Sequence, residues 1–80
     1  MCKKLFRKLF VFNEAKYGDV GSRIEKLQQL LRKSGSNIAV TGEFSVGMVS
    51  AVRSFQKKNG LTVNGIIDHE TYKKLKENDR

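Results

Sequence analysis

One six-residue unit occurs twice in this chain. Val40-Thr41-Gly42-Glu43-Phe44-Ser45 aligns with Val63-Asn64-Gly65-Ile66-Ile67-Asp68 at an offset of 23 residues, and the same register pairs Met48 with Thr71 and Val52 with Leu75. Each copy reads as an extended apolar residue, a glycine turn, an apolar anchor and a residue suited to start a helix. Glycine serves where the backbone needs a positive φ, the anchor (Phe44 or Ile67) plugs a core, and a hydroxyl or carboxylate caps the next helix. A chain of 80 residues that spends two such units on seating helices has room for one small domain and no second one. A domain of this size buries only about 60% of its unfolded surface, which leaves little material for a deep catalytic cavity.

Hydrophobic periodicity places three helices around these units. Ser22 followed by Glu25 has the spacing of a capping box, and Val20, Ile24, Leu27, Leu30 and Leu31 recur with helical period. With Arg32 and Lys33 in the last turn and Gly35 as a left-handed stop, the first helix is predicted at about residues 22–33. A second helix follows Ser45, turns Met48, Ala51, Val52 and Phe55 inward, and closes at Asn59-Gly60. A third opens at Asp68, buries Tyr72 and Leu75, and frays toward Arg80. The connections Asn37–Val40 and Leu61–Val63 are extended and apolar enough to pair as two short strands. The predicted class is all-α: a small three-helix domain over residues 17–80, preceded by a basic segment over residues 1–16.

That leading segment carries five cations against one anion, within a chain of net charge +8. If Lys3–Phe10 is helical, Leu5, Phe6, Leu9 and Phe10 share one face and Lys3, Lys4, Arg7 and Lys8 the other. Such a face suits an anionic membrane surface or a docking partner, and equally a fold-back onto the core. Only four apolar residues, Leu9 to Phe12, precede Asn13 and Glu14, so neither a standard signal peptide nor a membrane span is predicted. The net charge favours polyanions in general. Nucleic acid is not the favoured one: the connections between predicted helices run to about eleven and eight residues, against 3 to 4 in a helix-turn-helix.

The ordered residues Gly18-Asp19-x-Gly21-x-x-Ile24-x-x-Leu27-Gln28-x-x-Leu31, then Gly42-x-Phe44, Ala51-Val52-x-x-Phe55-Gln56, Gly60-Leu61-x-Val63-x-Gly65 and Thr71-Tyr72-x-x-Leu75 resemble the peptidoglycan-binding domain type 1. The resemblance spans about residues 17–77. It implies a three-helix, non-catalytic domain, attached in relatives to cell-wall hydrolases or spore-cortex enzymes and holding them on murein. It also implies a cell-wall, extracytoplasmic setting, although a cytoplasmic or phage-delivered form is compatible with the sequence. This chain departs from the family pattern at Thr41 and Asn64, where Asp is usual before the turn glycine. Further departures are Ser45 for glycine, Met48 for threonine and Tyr72 for tryptophan.

Catalysis finds no residues to run on. His69 and Cys2 are the single members of their types and stand 67 positions apart, so a metal site of three or four ligands at set spacings is not expected, and no cofactor is implied. Murein offers hydroxyls, amides, carboxylates and small apolar side chains, which a shallow groove can hold with a few amide, planar and cationic groups. The candidates at the two turn units are Thr41, Glu43, Phe44, Arg53, Gln56, Asn64 and Tyr72. Phe44 doubles as a core plug, Gln28 and Gln56 read equally as helix-surface amides or as braces of the turns, and Gln56→Ala is expected to leave folding nearly intact. The expected function is a peptidoglycan or muropeptide binding module that anchors a partner such as a hydrolase. The alternative is a scaffold that docks to a partner protein or an anionic membrane surface through the basic tail.

Overall fold

The computed structural model describes residues 13–78; the amphipathic reading of Lys3–Phe10 lies outside them. Three helices form: α1 Ser22–Lys33, α2 Val46–Lys58 and α3 His69–Asn78. Helix α1 packs against both of the others. The core is Ala15, Ile24, Leu27, Leu31, Phe44, Met48, Val52, Phe55, Ile67 and Leu75, with both anchors Phe44 and Ile67 fully buried. Helices α1 and α2 therefore each contribute an i, i+3/i+4 apolar stripe, α3 contributes Leu75 with the half-buried Tyr72 beside it, and the two anchors fill the space between the helices.

Helices α1 and α2 stop in the same way. Ser36 N–H donates to the Leu31 carbonyl and Gly35 N–H to that of Arg32 (both 3.0 Å), while Leu61 N–H donates to the Gln56 carbonyl (2.8 Å) and Gly60 N–H to that of Lys57 (3.3 Å). This is the Schellman pattern, which needs a positive φ that Gly35 (111°) and Gly60 (71°) supply.

Helix starts differ from the expectation. The capping box at Ser22 and Glu25 does not form: Gly21 is the N-cap, and its carbonyl accepts from Ile24 N–H at 3.1 Å and Glu25 N–H at 3.3 Å. The Glu25 side chain instead lies across the Gly42 turn, its Cγ and Oε2 3.2 Å from the place a Gly42 Cβ would take. Ser45 caps α2 by position without a side-chain hydrogen bond. Asp68 does cap α3, its Oδ1 accepting from Thr71 N–H at 2.9 Å.

The two extended connections do not pair with each other. Segment 15–21 pairs with the turn units instead, through isolated antiparallel bridges Ala15–Ile67 and Val20–Glu43. Ala15 and Ile67 exchange N–H···O bonds of 3.1 and 2.9 Å, Gly18 N–H donates to the Phe44 carbonyl (3.0 Å), and Phe44 N–H donates to that of Asp19 (2.8 Å). The reason is the accounting of buried backbone: an anchor sunk in the core takes its own amide and carbonyl away from water, and this segment satisfies them. Ala15 belongs to the packed unit, two positions ahead of the expected start. Val20, placed in the apolar stripe of α1 by its spacing, is instead 72% exposed, because the bridge to Glu43 holds it outside the helix.

Candidate functional site

Each turn unit is clamped by a glutamine from the preceding helix. The Gln28 side-chain carbonyl accepts from Thr41 N–H (2.8 Å) and Gly42 N–H (2.9 Å), while its Nε2 donates to the Glu43 carbonyl (3.0 Å) and to Thr41 Oγ1 (3.3 Å). Gln56 repeats this on the second unit: Oε1 accepts from Asn64 N–H (2.9 Å) and Gly65 N–H (3.0 Å), and Nε2 donates to the Ile66 carbonyl (2.9 Å) and Asn64 Oδ1 (3.0 Å). Gln56 Nε2 also reaches Thr71 Oγ1 at 3.0 Å. An amide is the one uncharged side chain that presents an acceptor and a two-hydrogen donor side by side, which is what two successive backbone N–H groups and a following carbonyl require. Among the described residues, no buried side-chain nitrogen or oxygen lacks a partner.

The same geometry explains Thr41 and Asn64. Thr41 Oγ1 accepts from Glu43 N–H (3.1 Å) and Asn64 Oδ1 from Ile66 N–H (2.9 Å), each bonding two residues ahead. The position needs an acceptor oxygen on a short side chain, and a carboxylate, amide or hydroxyl fills it.

Gln56 and Phe44 are both fully buried. Neither can touch a bound polymer, and both leave the list of contact residues. Burial also overturns the expectation for Gln56→Ala, since two backbone N–H groups would lose their acceptor inside the protein. Thr41, Glu43, Arg53 and Asn64 are exposed. The Arg53 stem lies over the second turn, with its Cγ 3.3 Å from where a Gly65 Cβ would sit. Tyr72 is half-buried and lines a cleft between α1 and α3, away from the concavity that Thr41 faces. The expected single groove along the turns is thus divided.

A trough is present beside α2. One cleft of about 350 Å³ lies between the 34–38 connection and α2. A second of about 230 Å³ continues it toward Thr41, and the two share Asn37, Ile38 and Gly47. Small polar side chains line the trough, notably Ser36, Asn37, Ser50 and Ser54, and the edge of Phe55 forms part of its floor, with Lys58 at the rim. One wall is held in place by Arg32, whose guanidinium donates to the Ile38 carbonyl at 2.7 Å. Hydroxyls, an amide and one ammonium on a shallow open surface offer hydrogen-bond donors and acceptors without enclosing what they meet. Ser50, Ser54 and Lys58 were not among the expected site residues. Their signal is a second stripe on α2, Gly47-Ser50-Ser54-Lys58 at intervals of three and four, flanking the apolar one.

The sequence profile of the peptidoglycan binding domain matches residues 20–75. The chain belongs to this family. The SleB N-terminal domain superimposes with a TM-score of 0.82 at 30% identity, covering 89% of this chain and 99% of that one. An endolysin of Burkholderia phage AP3 gives 0.79 at 26% identity over 81% of this chain and 25% of its own. In Bacillus subtilis, the carboxy-terminal processing protease CtpA is 35% identical over 60 residues, which is 75% of this chain and 13% of the protease. The resemblance read from the motifs is thereby confirmed, as is the three-helix fold. The domain is of a binding-module family. Among the described residues, no three His, Cys, Asp or Glu side chains group as a metal site, and no helix is long and apolar enough to cross a membrane.

Proposed function

We propose that this domain is a non-catalytic module that holds peptidoglycan in the trough beside α2 and so keeps a partner, such as a cell-wall hydrolase, on the wall. The observation that carries the reading is the coincidence of family membership over residues 20–75 with a shallow, hydroxyl-lined trough. The settings of the relatives support the anchoring part: the family domain is found in an endolysin and in a processing protease, where it makes up a minor share of the chain. Such settings support a role for the domain outside the cytoplasm, at the wall. Murein's hydroxyls and amides match Asn37, Ser50 and Ser54, and its carboxylates match Lys58.

The test is co-sedimentation with purified sacculi at moderate salt. The wild-type chain is expected in the pellet. Ser54→Phe, which puts a ring into the trough at an exposed helical position, is expected to stay folded by circular dichroism and to move to the supernatant. A wild-type chain found wholly in the supernatant overturns the proposal.

A further inference from the structure

A second concavity differs from the trough in carrying more cations and two leucines and fewer hydroxyls. It lies between α1 and α3, has a volume of about 420 Å³, and is lined by Ser22, Arg23, Lys26, Leu27, Leu30, Tyr72 and Lys76. Positions 23, 26, 27 and 30 fall on one face of α1, and 72 and 76 on one face of α3, so the helical repeat itself sets two leucines and a tyrosine between three cations. Among the described residues, no carboxylate lines it. Glu25, on the same helix, is turned to the Gly42 turn, and Glu77 on α3 pairs with Lys74 at 3.5 Å. Arg23 also donates to the Asn13 carbonyl, which steadies its guanidinium at the rim.

We propose that this cleft is a second binding site, which takes the free carboxylate end of a short peptide bearing small apolar side chains. The volume lies in the range of small-ligand pockets, about 300 to 1,000 Å³. Cations of both helices receive the carboxylate, and the apolar side chains cover Leu27, Leu30 and the Tyr72 ring. A polyphosphate satisfies the cations but leaves that apolar surface wet. The chain's own leading segment carries Lys3, Lys4, Arg7 and Lys8, charges of the same sign as the rim. Stem peptides of murein have the required chemistry, so the identity of the ligand rests on the murein reading while the site does not. A strand held by its neutral parts in the trough and by a peptide end in this cleft is gripped on two faces, and the second grip sums with the first.

The experiment is an amide-shift titration of the full chain with three probes: acetyl-D-alanyl-D-alanine, its C-terminal amide and inorganic phosphate. The free acid is expected to move the signals of Leu27, Leu30, Tyr72 and Lys76. The amide is expected to bind on the order of fivefold more weakly, the effect of losing one or two exposed charge contacts, and phosphate on the order of fivefold more weakly because it leaves the apolar surface uncovered. Lys26→Gln with Lys76→Gln, both at exposed positions, is expected to erase the preference for the acid. Phosphate binding as well as the acid, shifts confined to Ser50 and Ser54, or no shift up to about 10 mM, ten times a millimolar Kd, would each overturn the proposal. Sacculus sedimentation separates the two readings. If Ser54→Phe loses the pellet while the titration is silent, this cleft is not a site and the trough stands. If sacculi are never retained yet the acid binds as described, the cleft stands and the trough falls.

Discussion

The two turn units share a glutamine clamp, a glycine turn and a buried anchor, yet they are held differently. The second carries side-chain fastenings to the helix that follows: Gln56 reaches the turn, Thr71 of that helix joins the same amide, and Asp68 caps it. The first has no side-chain cap at Ser45. It draws instead on chain far upstream, through Gly21 N–H to the Gly42 carbonyl at 2.9 Å and the Asp19–Phe44 and Gly18–Phe44 bonds. Both units are tied to the upstream segment, the first through residues 18–21 and the second, over a longer stretch of chain, through the Ala15–Ile67 pair; only the second adds side-chain bonds from the helix it starts. Duplicated sequence thus gives the same turn with a different fastening of the helix that follows.

That contrast can be broken first at the anchors. Phe44→Ala is expected to cost about 3 to 5 kcal/mol and Ile67→Ala about 2 to 5 kcal/mol, and either loss is of the order of the whole stability of a small domain. Urea denaturation measures both; an effect below about 1 kcal/mol for Phe44→Ala contradicts its position in the core.

The clamps come next. Gln56→Ala is expected to cost about 2 to 4 kcal/mol, because two buried N–H groups lose their acceptor at about 1 to 3 kcal/mol each, partly relieved by water. Gln28→Ala should cost less, since its amide serves one partner fewer. Thermal melts that rank them the other way would show the first unit to be the more tightly clamped.

Glycine substitutions sharpen the comparison further. Both Gly42 (φ 85°) and Gly65 (φ 77°) pay for a side chain in backbone strain, about 1 to 2 kcal/mol. A Cβ at Gly65 also meets Val49 Cγ1 at 3.0 Å, whereas at Gly42 it meets the flexible Glu25 side chain at 3.2 Å. Gly65→Ala is therefore expected to be the more destabilising of the two in equilibrium unfolding.

The caps give the smallest effect. Asp68→Ala should cost about 0.5 to 2 kcal/mol, and Ser45→Ala less than about 0.5 kcal/mol, since only the aspartate makes a cap bond. Thr41→Asp and Asn64→Asp keep the acceptor oxygen and should leave the midpoint of unfolding nearly unchanged.

Much of this architecture was legible in the residues. The bounds of α1, the stops at Gly35 and Gly60 and the burial of Phe44 and Ile67 all follow from signals within a few positions of each other. The site was less so. Thr41 and Asn64 announce a turn, and their oxygens are occupied in making it; Gln56 looks like a helix-surface amide until the turn folds onto it. The residues that do line open surface, such as Ser50, Ser54, Lys26 and Lys76, are types found on any solvated helix face, and even the small-residue stripe that joins Ser50 and Ser54 does not tell a groove from plain solvated surface.

What the amino-acid order determined alone was where helices run and where glycine lets the chain reverse, because helical period, cap chemistry and positive φ act over one or two turns. Tertiary structure alone decided that residues 15–21 satisfy the anchors, that Gly21 and not Ser22 caps α1, and which faces are left concave. Those outcomes depend on hydrogen bonds and shapes contributed by residues distant in sequence. A backbone amide carries no mark of the carbonyl that will receive it until the core has brought the two together.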